Sequence, residues 1–137
     1  TEHAQRLVAW ERTQRPRHNA RLAGALACLG TIHAAADRHT SAITSFEEAI
    51  TLTADRGLGA ERLEWWCDTR IRLASSLDAV GRADEATALL RTSLDELDTE
   101  ALVGTDAAQG LLDILAARHE AAGDDEHARE LMRRFGR

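Results

Sequence analysis

The segment from Ala23 to Arg56 restricts the fold of this chain more than any other stretch does. It holds two runs of apolar residues at helical spacing, which a break at residues 37–39 separates. Small residues, Gly30 in the first run and Ala42 and Ala49 in the second, stand where two helices joined by so short a turn must approach closely. The segment therefore predicts a pair of short, antiparallel amphipathic helices.

The same arrangement recurs twice further along the chain. Gly81 and Gly123 are predicted to end the first helix of each later pair, because glycine is common at a left-handed helix stop. An alanine marks the second helix of every pair, and these alanines are Ala42, Ala86 and Ala128, 44 and 42 residues apart. Recurrence at a nearly constant interval predicts stacked copies of one helical hairpin.

This pattern resembles the tetratricopeptide (TPR) repeat. The TPR pattern has apolar residues at positions 4 and 7, a small one at 8, an aromatic at 11, Ala at 20, a large apolar residue at 24 and Ala at 27. In the first copy these positions hold Leu26, Leu29, Gly30, His33, Ala42, Phe46 and Ala49. The copies depart from the family at His33, at Arg70 (position 4 of the second copy) and at Phe135 (position 27 of the third).

The resemblance implies an all-α fold, an α-solenoid of antiparallel helix hairpins with about seven helices in a right-handed superhelix. Residues 1–137 would form one TPR-like domain. Within it, residues 2–13 would be the second helix of a truncated repeat, and residues 19–56, 60–98 and 105–135 the three full repeats. The spacing of 44 and 42 residues between the marker alanines exceeds the usual 34 residues of a TPR repeat. Such expanded repeats resemble those in large bacterial signalling ATPases and transcriptional regulators. Because the chain begins at Thr1 without Met, we expect it to be a piece of a longer protein.

Composition limits the function. All 17 basic residues are Arg, against 23 acids, and the net charge is −6. Residues 41–137 carry 11 of the Arg and 20 of the acids, and an acidic surface disfavours nucleic acid, whose phosphates need a basic face. No apolar run reaches the roughly 18 residues of a membrane span. We therefore expect a cytoplasmic protein that binds neither nucleic acid nor membrane.

The sequence shows no chemistry of a catalytic or metal site. Cys28 and Cys67 have neither zinc nor disulfide-framework spacing, and neither HExxH nor a Gly-rich phosphate loop is present. His33 and His119 fall at position 11, a packing site, and the other four histidines are predicted to lie at the surface. We expect no cofactor, no metal and no enzymatic activity.

The resemblance also implies a concave binding surface, lined by the first helix of each repeat. In this sequence those positions are small in the first copy and partly acidic in the later two. Trp65 is added as a candidate anchor, because interface hot spots are enriched in Trp. The predicted partner-binding residues are Thr31, Trp65, Asp68, Ile71, Arg72, Ser75, Asp78, Asp113, Ala117 and Glu120.

The charges of this surface suggest the kind of partner. Arg72 is the one residue there that could hold a peptide carboxylate, and Asp68, one helical turn away, can neutralise it. An acidic C-terminal peptide is therefore disfavoured, and a basic or apolar segment is favoured. The alternative is that the acids are only a solvated face.

Two functional hypotheses follow from the sequence. The first is a non-catalytic protein-interaction or sensor module in a larger bacterial regulatory protein. The second is a structural spacer or self-association module without a dedicated ligand. A homodimer through the N-terminal helix is a further prediction, since a truncated repeat would leave Trp10 uncovered.

Overall fold

A computed structural model describes residues 2–12, 19–54 and 60–136 of the protein. The described residues form α-helices joined by short turns, which confirms the prediction of an all-α protein. The helices are α1 (Glu2–Arg12), α2 (Asn19–Ala35), α3 (His39–Leu52), α4 (Ala60–Ala79), α5 (Ala83–Thr99), α6 (Asp106–Ala121) and α7 (Asp125–Phe135). The predicted breaks around residues 14–17 and 57–59 lie outside the described residues, as does the side chain of Trp10.

Three helix pairs, α2–α3, α4–α5 and α6–α7, share one turn geometry. Asp37, Gly81 and Gly123 have left-handed backbones, with φ of 61°, 80° and 79°. In each turn the next residue donates its N–H to a carbonyl five residues earlier, at 2.8 Å. The three left-handed residues have the same 44- and 42-residue spacing as the marker alanines, so the sequence repeat is matched by a repeated turn.

Two apolar clusters run through the packed helices. The smaller one lies mainly on α2, and the larger one extends from α3 to α7. Consecutive helices pack on each other, and α4 also contacts α2 and α6. Trp65 packs against both clusters, so it joins the first helix pair to the rest of the core.

The small residues of the first hairpin allow its helices to approach closely, as predicted. A Cβ atom added at Gly30 would lie 2.8 Å from the Phe46 ring. Phe46, Ala42 and Ala49 are completely buried. The contact between α2 and α3 therefore depends on the absence of a side chain at Gly30.

Helical spacing predicts that Leu7, Val80 and Met132 face inward, but the structure exposes all three. Leu7, Val80 and Met132 have 39%, 39% and 42% of their surface accessible. Val80 lies just beyond the last residue of α4, where the chain turns away from the core. On α7 the buried stripe consists of Ala128, Leu131 and Phe135, which leaves Met132 on the outer side. Among the side chains of α1 that the structure describes, Ala4 rather than Leu7 packs against the core.

Arg70, which departs from the apolar pattern, is nevertheless a core residue with only 7% of its surface exposed. Its guanidinium carbon lies 3.7 Å from the centre of the Trp66 ring, and Nη1 donates to the Trp66 carbonyl at 3.3 Å. Burial lowers the pKa of Arg70 to about 10. A planar guanidinium can stack on an aromatic ring, so the apolar line of α4 continues through this residue. Trp66 is itself buried.

Candidate functional site

A groove of about 630 Å³ lies between α2 and α4. Its lining is mainly apolar, and we call it the α2–α4 groove. The lining residues are Gly24, Ala27, Cys28, Thr31, Ile32, Trp65, Asp68, Thr69 and Arg72. Of the ten predicted partner-binding residues, the groove thus brings together Thr31, Trp65, Asp68 and Arg72.

The α2 side of the groove is a low wall of small residues. A Cβ atom added at Gly24 would meet nothing within 4 Å, and Cys28 is exposed. The hydroxyl of Thr31 is satisfied within its own helix, since it donates to the Ala27 carbonyl at 3.0 Å. The wall therefore leaves open space and presents little polarity to a ligand.

Trp65 supplies the largest surface on the α4 side. The residue is half-buried, because it packs against both apolar clusters. A Trp supported in this way loses little conformational freedom when a ligand covers it, which is one reason that aromatic residues act as interface anchors.

Asp68 and Arg72 form an ion pair at one side of the groove. Arg72 Nε lies 2.8 Å from Asp68 Oδ2, and each side chain is about half exposed. The expected neutralisation of Arg72 by Asp68 is thus confirmed. Exposed pairs at this spacing stabilise a helix by only about 0.3–0.5 kcal/mol, but each charge is compensated locally.

Asp78 is held by Arg118 of α6, 40 residues later in the chain. Arg118 Nη1 and Nη2 donate to the two carboxylate oxygens at 2.6 and 2.9 Å. Arg118 also donates to the Thr87 hydroxyl and to the Ala83 carbonyl, both at 3.1 Å. The hydrogen bonds to Asp78 raise the pKa of Arg118 above its usual value. This interaction connects α6 to α4 and to the start of α5, and no local pattern in the sequence indicated it.

The remaining α4 candidates lie outside the groove. Ile71 is half-buried and packs against the larger apolar cluster, and Ser75 is exposed. Five residues that line the groove are absent from the predicted set, namely Gly24, Ala27, Cys28, Ile32 and Thr69. Ile32 was detectable as an apolar residue off the buried face of α2, and it is 37% exposed.

The three candidates on α6 share an exposed side of that helix. Asp113, Ala117 and Glu120 are all exposed, and their spacing places them along one face. We call this set the α6 acidic face. Among the described residues, neither Asp113 nor Glu120 forms an ion pair. Its two carboxylates are thus uncompensated, unlike those of Asp68 and Asp78.

The histidines at position 11 have packing surroundings, as predicted. Burial and, to a smaller extent, the positive charge of the nearby Arg38 lower the pKa of His33. Arg38 Nε donates a hydrogen bond to His33 Nδ1 at 3.0 Å. His119 stacks on His127 with ring centres 5.5 Å apart. Within residues 2–12, 19–54 and 60–136, no group of three or more potential ligand side chains is placed to hold a metal ion.

Comparison of the chain with protein-family models, curated proteins and solved structures gives no significant match. None of the helices that the structure describes has the length and apolarity required to cross a membrane.

Proposed function

We propose that this chain is a TPR-like solenoid that acts as a non-catalytic protein-interaction module. In this proposal α2, α4 and α6, the first helices of the three hairpins, line one concave surface that binds an extended basic or apolar segment of a partner protein. The module would serve as an interaction or sensor region of a larger cytoplasmic regulatory protein of bacteria. The observation that carries the proposal is the α2–α4 groove, which is open, apolar and backed by Trp65.

The character of the groove supports binding more than chemistry. Its ionised lining groups, Asp68 and Arg72, bind each other, so they are not arranged as a free acid and base. The rest of the lining is small, aliphatic or aromatic, apart from two Thr hydroxyls and the Cys28 thiol. Such a surface stabilises a complex by removing apolar area from water, and it does not need polarised groups.

The expected affinity is modest. Burial of one large apolar side chain contributes about 1.5–3 kcal/mol, and an exposed charge pair adds up to about 1 kcal/mol. These gains are offset by the cost of ordering a flexible segment. These two contacts together supply at most about 4 kcal/mol, which corresponds to a Kd of about 1 mM, so a peptide that binds more tightly must make further contacts along the surface.

A selection experiment tests the proposal. A random phage-displayed dodecapeptide library is selected against the protein, and selected peptides are then measured by fluorescence anisotropy. The concave-surface variants are Thr31→Arg and the double variant Asp113→Lys/Glu120→Lys. Their matched controls are Thr44→Arg and Glu47→Lys/Asp95→Lys, which make the same chemical changes at exposed positions of the second helices.

The proposal predicts that the concave-surface variants weaken binding about tenfold or more, and that the controls leave it within about twofold. A library that yields no binder, or binders affected equally by both sets, would contradict the proposed function. In that case the spacer or self-association hypothesis becomes the better one. Sedimentation velocity then distinguishes a monomeric spacer from a module that self-associates.

A further inference from the structure

We infer that the partner segment binds in one direction, with an apolar side chain in the α2–α4 groove against Trp65 and a Lys or Arg side chain at the α6 acidic face. This inference rests on the proposed function and specifies the partner that the surface recognises. The expected ligand is an extended peptide with one aromatic or large aliphatic residue and one basic residue at a defined spacing.

Uncompensated charge is concentrated at one end of the proposed surface. The sequence predicted four carboxylates on the concave surface, but the structure pairs two of them. Asp68 binds Arg72 on its own helix, and Asp78 binds Arg118 in a two-point interaction. The carboxylates that remain uncompensated are Asp113 and Glu120. The surface therefore has a neutral, apolar end and an acidic end.

The α2–α4 groove, at the apolar end of the surface, has space for one large side chain. The groove volume of about 630 Å³ is within the range of about 300–1,000 Å³ found for small-ligand sites, which is ample for one large side chain. Gly24 leaves the wall open on one side, and Trp65 offers an aromatic surface on the other. Water on such a lining has few polar partners, so an apolar side chain that displaces it is favoured.

The reverse direction of binding is unfavourable at both ends of the surface. A Lys or Arg side chain in the groove would lose hydration next to an apolar wall, while the nearest carboxylate, Asp68, is already bound to Arg72. A desolvated charge without a free partner is strongly unfavourable. An apolar side chain at the α6 acidic face would in turn cover two exposed charges that prefer water.

The packing of the helices sets the spacing between the two ligand side chains. Helix α4 packs against α6, and the axes of packed helices lie about 8–10 Å apart. The groove lies on the α2 side of α4, so the ligand must cross the width of α4 as well. An extended chain advances about 3.3 Å per residue, and we therefore expect about three to five residues between the apolar and the basic side chain.

The test uses the tightest peptide from the selection described above, and versions in which its apolar residue is replaced by Ser or its basic residue by Glu. Gly24→Leu fills the groove without a steric conflict at Cβ, and Thr44→Leu on α3 is its control. We expect Gly24→Leu to weaken binding of the parent peptide about tenfold and to leave the already weak binding of the Ser version unchanged. Asp113→Lys/Glu120→Lys should weaken the parent peptide about tenfold and restore binding of the Glu version.

Alkylation of Cys28 locates the apolar side chain independently. Cys28 is exposed, whereas Cys67 is buried, so iodoacetamide modifies Cys28 first. A saturating parent peptide should slow this reaction several-fold, and the Ser version should not slow it at the same concentration. In the Cys28→Ser variant the fast phase should be absent, with or without peptide.

The outcomes distinguish the two proposals. One outcome is that binding depends on the concave surface, while Gly24→Leu leaves peptide affinity unchanged and the peptide leaves the rate of Cys28 alkylation unchanged. In that case the interaction module stands and the directional inference is wrong. If charge reversal of α6 does not restore the Glu version, the basic end of the motif is wrong. If no selected peptide depends on the concave surface, both proposals fail.

Discussion

Glycines inside helices differ in what a methyl group would meet at each position. At Gly30 a Cβ atom would lie 2.8–3.0 Å from three atoms of the Phe46 ring. At Gly24 and Gly110 it would meet nothing within 4 Å. Phe46 is completely buried, so we expect the same substitution to have opposite effects on stability at Gly30 and at the two open positions.

We predict that Gly30→Ala lowers the free energy of unfolding by about 1–2 kcal/mol, and that Gly110→Ala raises it by up to about 1 kcal/mol. Alanine gains about 1 kcal/mol over glycine in a helix, but overpacking in a closed core costs about 1–3 kcal/mol or more. Urea unfolding followed by circular dichroism measures both variants. Equal changes in the two variants would mean that α2 and α3 are not as close as the structure shows.

Arg70 shows that residue type does not fix burial. A charged side chain is normally expected at the surface. The guanidinium of Arg70 nevertheless stacks on Trp66 and is buried in the core. The stacking partner lies four residues earlier on the same helix, so the signal was present as a Trp–Arg pair at helical spacing.

At the scale of the element, α7 depends on its first turn. Asp124 is the N-cap of this helix, and its carboxylate accepts from the backbone N–H of His127 at 3.3 Å. The same carboxylate lies 2.6 Å from His127 Nδ1 and 3.7 Å from His119 Nδ1. Partial desolvation would raise the pKa of Asp124, but the hydrogen bonds from His127 and the nearby imidazoles outweigh it, and the pKa is lowered.

We predict that Asp124→Asn reduces stability at neutral pH and that this difference shrinks in acid. A carboxyl with a folded-state pKa below its unfolded value of 3.8 stabilises the protein above that value. This contribution is lost as the pH falls through the folded-state pKa. Thermal unfolding of both proteins between about pH 7 and pH 2.5 measures the difference. A difference that is constant with pH would show that the carboxylate charge is not involved.

At the scale of the whole molecule, the contact between Asp78 and Arg118 connects the second and third hairpins. It spans 40 residues and joins α6 to the end of α4. Arg118 is mostly covered, with 20% of its side chain exposed, whereas Asp78 is 39% exposed. Solvent screening therefore reduces the strength of this ion pair, but the two-point geometry fixes the angle at which the hairpins meet.

We predict a coupling energy of about 0.5–1.5 kcal/mol between Asp78 and Arg118 in a double-mutant cycle. The variants are Asp78→Asn, Arg118→Gln and their combination, and chemical denaturation by urea gives the three changes in stability. The coupling should decrease when salt is raised from about 0.05 to 1 M, because partly exposed charges are screened. Additive effects would show that the two side chains do not interact in solution.

This contact also affects how binding variants are chosen. Charge reversal at Asp78 would disturb the junction of two hairpins as well as the surface, so loss of binding could not be assigned to the groove. Asp113 and Glu120 have no such partner among the described residues, which makes them the better positions for charge reversal.

The sequence by itself determined the helices, their ends and the positions that must be small. These features depend on interactions within a few residues, such as apolar spacing and glycine at the left-handed stops of Gly81 and Gly123. The predicted repeat spacing accordingly reappears in the turns.

Only the tertiary structure decided which predicted surface residues are available to a partner. It placed Trp65 against two apolar clusters, removed Asp78 from the uncompensated acids through Arg118 and opened the groove between α2 and α4. Each of these results depends on residues that are about 30 to 40 positions apart in the chain. Helical periodicity reports on neighbours three or four residues away, and it therefore cannot indicate which side chains meet when separate hairpins pack together.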